Sequence, residues 1–331
     1  MTRNLHQLAP AYKRRAGWAG LFVATLLPLA SCTSANSVGL KAGEAEKLRV
    51  VTTFLPITDF TLAVAGDRAE VTQLLPPGVG PHDYQAKPQD VQSLAEADVL
   101  VENGLGLEDF LTGLIDNANN PDMVVVDSSE GIATLPAADD GHSDADAHEG
   151  SEHQHSEFDP HIWLDPKKAI QQVGNIRDAL VAVDPAGEAI YAANADAYIQ
   201  QLQQLDKEIS VALAPYAGQT FVSHHDFAEH FARSYGIDVE YLVDVPEESA
   251  TPSDMQRVIQ AVEGSDLKTL LQEPAQPGSS LSALAKEMNA QVSEFNPMES
   301  SGPEGFSPDY YIATMEQNSE NLEAAFAQSD R

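Results

Sequence analysis

Residues 187–213 read GEAIYAANADAYIQQLQQLDKEISVAL, and the architecture turns on this stretch. Tyr191, Tyr198, Leu202, Leu205 and Ile209 recur at helical spacing with polar residues between them. At about 1.5 Å per residue such a helix is long enough to bridge two domains. On either side of it the period changes. From Leu48 onward, short β-branched runs alternate with helical stretches, the sign of parallel βα units. Strands are expected near 49–54, 69–75, 98–103 and 123–127, and helices near 57–66, 87–97 and 107–119. Pro88-Gln89-Asp90 is a helix start and Gly66 a helix stop. Beyond the long helix the pattern repeats in kind, with strands near 219–224, 239–245, 267–272 and 291–295 and helices near 227–235, 253–263, 281–289 and 308–326. The expectation is an α/β fold: a lobe over 48–186, a bridging helix over 187–213, a second lobe over 214–331, and a cleft between the lobes.

The chain of 331 residues begins with a different kind of segment. Arg3, Lys13, Arg14 and Arg15 form a basic region, and Ala16 to Ala30 an apolar run too short for a membrane-spanning helix. The run ends in Leu29-Ala30-Ser31-Cys32, which resembles the lipobox of bacterial lipoproteins, where the cysteine becomes the lipidated first residue. Residues 1–31 are thus expected to be a signal peptide, Cys32 a lipid anchor to a bacterial membrane, and 32–47 a tether. Cys32 is the sole cysteine, which excludes an internal disulfide and a thiolate metal cluster. The formal net charge of -33 repels phosphate backbones, so nucleic acid is excluded as a partner. A monomer is expected.

Ligands of open α/β sheets sit beyond the carboxyl ends of strands, and three histidines fall there. His82 follows the second strand through Pro76-Pro77-Gly78-Val79-Gly80-Pro81, and His225 follows the strand at 219–224 directly. His161 lies in the stiff segment Asp159-Pro160-His161-Ile162-Trp163-Leu164-Asp165-Pro166. Three neutral imidazoles with one oxygen donor suit zinc, with iron, copper and nickel chemically open. Asp83, Asp159, Asp165 and Asp226 are near enough in sequence to take the second ring proton of these histidines. A zinc hydrolase would also use three histidines and a water, but the sequence holds no His-Glu-x-x-His helix. No enzymatic activity is therefore expected.

The run Gly78-Val79-Gly80-Pro81-His82-Asp83-Tyr84, continued by Pro88, Asp90, Leu94, Ala97-Asp98 and Asn103 to Glu108, resembles the first signature of the metal-specific solute-binding proteins of ABC importers. That family includes zinc-uptake binding proteins and manganese-binding lipoproteins once described as adhesins. Residues 159–166 resemble its second signature, Tyr191, Asn194 and 202–206 its bridging helix, and His225-Asp226-Phe227 with Phe231 and Tyr235-Gly236 its third. The resemblance covers roughly residues 48 to 331. It implies two four-stranded βα domains around a rigid helix, a metal buried between them, and delivery to a permease with its ATPase. The implied ligands are His82, His161 and His225, and manganese-type relatives tend to carry glutamate where His225 stands, which favours zinc over manganese or iron. His224 and His230 match no ligand position of the family. Where relatives often read Asp-Pro-Leu, this chain reads Asn296-Pro297-Met298-Glu299, so the fourth donor is expected to be Glu299 or water.

Residues 137–157 hold His142, His148, His153 and His155 among acidic residues, with no apolar period. Zinc-type relatives carry a similar insertion at this place. Such a segment is expected to gather metal weakly or to act as a solvated linker, because wrapping an ion would require it to lose chain entropy.

Overall fold

The computed structural model describes residues 47–82, 84–137, 157–242, 251–261, 269–274, 280–300 and 306–329. The signal segment, Cys32, the tether up to residue 46 and residues 138–156 with their four histidines lie outside the described residues.

Each valine-rich run becomes a strand of a parallel sheet. Strands β1 (Leu48–Thr52), β2 (Ala69–Gln73), β3 (Val99–Glu102) and β4 (Val124–Asp127) form one sheet in the order β2-β1-β3-β4. Val50 of β1 is the pivot, paired with Val71 on one side and Val99 on the other. Helices α1 (Leu55–Ala65), α2 (Pro88–Glu96) and α3 (Leu111–Ala118) make the crossovers. Burial of Val50, Val51 and Val99 to Val101 is what a parallel sheet covered on both faces demands. Pro88 opens α2, and the Asp90 carboxylate accepts the Lys87 N–H at 2.6 Å and the Tyr84 hydroxyl, satisfying a donor at the helix start.

Helix α3 begins four residues later than its periodicity suggests. Gly104, Leu105 and Gly106 all take positive φ, at 90°, 59° and 78°, and carry the chain round a turn first. Buried Glu108 organises that turn by accepting the N–H groups of Asn103 and Gly104 at 2.7 and 3.1 Å and the Thr53 hydroxyl at 2.8 Å. Gly104 is required there, since a Cβ would lie 2.1 Å from Asp127 Oδ1.

Two long helices follow, α4 (Pro166–Val183) and α5 (Glu188–Leu213). The buried stripe of α5 is Tyr191, Ala195, Tyr198, Leu202, Leu205, Ile209 and Leu213, which contains every apolar position expected to face the core. The second sheet repeats the first, with β5 (Thr220–Ser223), β6 (Asp238–Tyr241), β7 (Thr269–Gln272) and β8 (Gln291–Glu294) in the order β6-β5-β7-β8, all parallel. Its helices are α6 (Glu229–Tyr235), α7 (Pro252–Ala261), α8 (Ser280–Met288) and α9 (Pro308–Ser329).

Helix α5 packs on α1, α4 and α9, while α9 packs on α1 and β8. Both helices therefore cross between the sheets, and the second crossing is one the sequence did not single out. Aromatic side chains fill the junction: Phe60 meets Tyr311 at 4.8 Å and Phe54 meets Trp163 at 4.9 Å between ring centroids. Burying such a ring contributes roughly 1.5–3 kcal/mol, so the crossing is a core and not a loose hinge cover. The start of α5 is pinned separately. Arg68 holds Asp184 through two hydrogen bonds of 2.6 and 2.9 Å, and the Tyr191 hydroxyl donates to the same carboxylate at 2.8 Å.

Candidate metal centre

The three histidines reach one place from three local constructions. His82 ends the proline-rich turn after β2. His161 stands between Pro160 and a short 3-10 turn, Ile162–Leu164, whose residues are all buried. That segment is held from behind by Asn103, whose amide donates to the Pro160 carbonyl at 3.0 Å, and Gln172 donates to Asn103 Oδ1 at 3.0 Å. His225 leaves the end of β5 in extended conformation, ahead of a 3-10 turn at Asp226–Ala228.

Glu299 completes the group from the second lobe. One potential donor atom from each of His82, His161, His225 and Glu299 lies within 4.8 Å of the others. Glu299 Oε1 is 3.1 Å from His225 Nε2, 3.2 Å from His161 Nε2 and 3.7 Å from His82 Nε2. The ring centroids stand 5.6–6.0 Å apart, so the imidazoles surround the carboxylate without stacking. His161, His225 and Glu299 are buried and His82 is partly so.

Asn296 takes no place in this group. Its side-chain oxygen accepts the Met298 N–H at 2.9 Å, its backbone exchanges 2.8 Å hydrogen bonds with the Asn318 amide, and its own amide donates to the Tyr310 hydroxyl at 3.2 Å. The resulting turn forces Met298 to φ 62° and delivers Glu299 on the next residue. Trp163 Nε1 fixes the same loop by donating to the Pro297 carbonyl at 2.8 Å, and the Tyr311 hydroxyl donates to the Trp163 carbonyl at 2.6 Å.

Electrostatics couple the four groups. Burial opposes charging His161, yet Asp159 and Glu299 on its two nitrogens outweigh it and push its pKa up to about 9. Burial likewise opposes charge on His225, and Glu299 and Glu273 together hold its pKa well above the ordinary imidazole value. Burial would raise Glu299, but His225, His82 and His161 hold it well below the ordinary carboxylate range. The site is therefore an anion that favours the protonated form of His161 and His225, a positive charge that a divalent cation would replace.

Of the four aspartates expected to support the rings, Asp159 does so, with Oδ1 2.8 Å from His161 Nδ1. Asp165 instead caps α4 by accepting the Lys167 N–H at 3.0 Å, Asp226 lines a neighbouring cavity with its Oδ1 bonded to no ring, and Asp83 lies outside the described residues. Behind His225 stands Glu273, whose Oε1 is 3.0 Å from Nδ1. The sequence reading missed it, although it follows a strand end, the criterion that found the histidines. His230 faces away, with Nε2 3.0 Å from the Asp159 carbonyl and Nδ1 against Lys168 Nζ, and His224 is buried outside the group. Beside Asp159 a cavity of about 370 Å³ is lined by Leu135, Pro136, Asp226, Glu229 and Arg233, where the Ala137 N–H meets the Glu157 carbonyl at 3.1 Å.

The family model described as ZnuA, zinc-uptake complex component A, periplasmic, matches residues 50–325. The chain belongs to this family. Among curated relatives of this ZnuA-family chain is the manganese-binding lipoprotein MntA of Halalkalibacterium halodurans, 33% identical over 288 residues, with 86% of this chain and 90% of that protein covered. The zinc-binding lipoprotein AdcA of Streptococcus pneumoniae is 31% identical over 274 residues, covering 82% of this chain and 54% of that longer protein. The crystal structure of the Zn(II)-bound ZnuA-like domain of AdcA matches the fold with a TM-score of 0.69 at 29% identity, covering 84% of this chain and 98% of that one. The two four-stranded parallel sheets are thus the architecture of the ZnuA family.

Proposed function

We propose that this chain is the extracytoplasmic solute-binding component of an ABC importer, capturing one zinc ion through His82, His161, His225 and Glu299 and delivering it to a permease with its ATPase. The observation that carries the reading is the convergence of four donors from both lobes within 4.8 Å. Three imidazole nitrogens and one carboxylate oxygen make the tetrahedral set that zinc takes, with Zn–N and Zn–O distances of about 2.0–2.2 Å. Manganese prefers more oxygen than this set supplies, so the manganese-binding relative does not shift the proposal.

A lipid on Cys32 would anchor the protein at the outer side of a bacterial membrane, and residues 32–47 would give it reach. Among the described residues no helix is long and apolar enough to cross a membrane. The histidine-rich segment 138–156 gathers ions loosely, apart from the tight site. The chain acts as a monomer and carries out no chemistry on its cargo. Elemental analysis of protein purified without a polyhistidine tag, followed by zinc and manganese competition, tests this reading. One zinc that manganese does not displace supports it, whereas one manganese retained against zinc, or turnover of ester or peptide substrates by the loaded protein, refutes it.

A further inference from the structure

We infer that Asp59, a buried acid where α1 of the first lobe meets the start of α9, is a proton-operated latch: the junction is closed while Asp59 holds a proton and loosens when it ionises, which sets how fast zinc leaves. The consequence for zinc rests on the metal site proposed above, whereas the latch stands on the junction alone.

Asp59 is fully buried, and neither of its carboxyl oxygens has a hydrogen-bond partner. A carboxylate left dry and unpaired is costly, so such a group gives up its charge. Helices α4, α5 and α9 and strands β1, β2 and β3 pack on α1. The titratable groups near Asp59 are Tyr198 on α5 and Tyr311 and Asp309 on α9, and among the described residues no cation is set against it. Burial pushes its pKa up to about 9, against the opposing pull of the Ser307 and Tyr311 N–H groups at the start of α9. At neutral pH the closed junction therefore holds a neutral acid.

The start of α9 also braces two segments that carry metal-site residues. The Tyr310 hydroxyl accepts the Asn296 amide at 3.2 Å, in the turn that presents Glu299. The Tyr311 hydroxyl donates to the Trp163 carbonyl at 2.6 Å, just after His161, and Trp163 Nε1 donates to the Pro297 carbonyl at 2.8 Å. The Tyr198 hydroxyl ties the same helix start to α5 by donating to the Pro308 carbonyl at 3.0 Å. A shift in the first turn of α9 thus moves the supports of His161 and Glu299 together. When the junction loosens, water reaches Asp59 and its pKa falls back towards the ordinary 3.8. Each loosening then releases a proton, so rising pH favours it between 3.8 and about 9.

The test compares the whole chain with Asp59→Asn, an amide of the same shape that cannot ionise. Zinc release into excess chelator is followed from pH 6 to 8, and thermal unfolding of the metal-free proteins over the same range. Protonation of the ligand rings acts on both proteins alike, so it cancels in the ratio of their release rates. Release from the wild type should exceed that from Asp59→Asn by a ratio that grows at least about tenfold across this range, full coupling giving about tenfold per pH unit. The wild-type melting temperature should lie below that of Asp59→Asn by a margin that widens as pH rises, because the folded state keeps a proton that the unfolded chain has lost. A release ratio independent of pH overturns the control of zinc, and a constant melting margin overturns the latch itself. If Asp59→Asn does not fold, Asp59→Ala takes its place and the same two pH dependences are required of it. A wild type without tightly held zinc overturns the metal site, and the melting comparison then decides the latch separately.

Discussion

Zinc binding should expel protons at neutral pH, and the site geometry sets how many. Glu299 Oε1 lies 3.1 Å from His225 Nε2 and 3.2 Å from His161 Nε2, and its negative charge favours the protonated form of both rings while no metal is bound. His161 titrates at about 9 in this state, and His225 is raised as well. At pH 7.5 a group with a pKa of about 9 is deprotonated in only about one molecule in thirty. Making its lone pair available therefore costs about 2 kcal/mol of apparent zinc affinity at that pH. Because the raised pKa favours the protonated ring, proton competition is strongest at low pH and fades as pH rises towards 9. His161 alone should release about one proton at pH 7.5, and the raised His225 adds to that release. Apparent affinity should climb at least about tenfold per pH unit from pH 6 to 8. Calorimetric titration at one pH in buffers of different ionisation enthalpy counts the protons, and repetition across pH gives the slope. Glu299→Gln removes the anion that raises both rings, so its release should drop below that of the wild type. No released proton, together with an affinity flat from pH 6 to 9, would refute the reasoning.

His82→Ala, His161→Ala and His225→Ala should each weaken zinc binding by more than about a hundredfold, as loss of one of four donors implies; His224→Ala should leave it within a few-fold, and chelator competition separates the two classes. His230→Ala, which removes a group bonded to the Asp159 carbonyl, should fall between them. Asn296→Ala removes the turn that presents Glu299 and should lower the melting temperature through loss of about 1 kcal/mol while reducing zinc affinity, both measured on the same preparation. Deleting residues 138–156 should lower the number of zinc ions bound at saturation and leave the tightest affinity unchanged; loss of that affinity would contradict the assigned division of roles.

Much of the fold was legible because its elements carry local signals. The buried stripe of α5 follows from the spacing of Tyr191, Tyr198, Leu202, Leu205 and Ile209, and the parallel sheets follow from valine-rich runs bounded by turns. The three histidines were legible for the same reason, since each follows a strand end or a stiff proline segment. What escaped depends on contacts distant in sequence. Glu273 stands behind His225 only because sheet order makes β5 and β7 neighbours. Asp159 and Asp165 flank His161 two and four residues away in sequence, yet Asp165 caps a helix while Asp159 holds the ring. The sequence points past Asn296 to Glu299 as donor, but not to the Asn296 side chain as the group that builds the turn bringing Glu299 in. The late start of α3 reflects positive φ at Leu105 between two glycines, a strain that periodicity does not register.

The most direct test is a crystal structure of the zinc-loaded protein with anomalous data on either side of the zinc absorption edge. The account predicts one strong peak in the interlobe cleft, about 2.0–2.2 Å from Nε2 of His82, His161 and His225 and from a Glu299 oxygen. A peak that engages fewer than three of these side chains, or that lies on other residues, would contradict it.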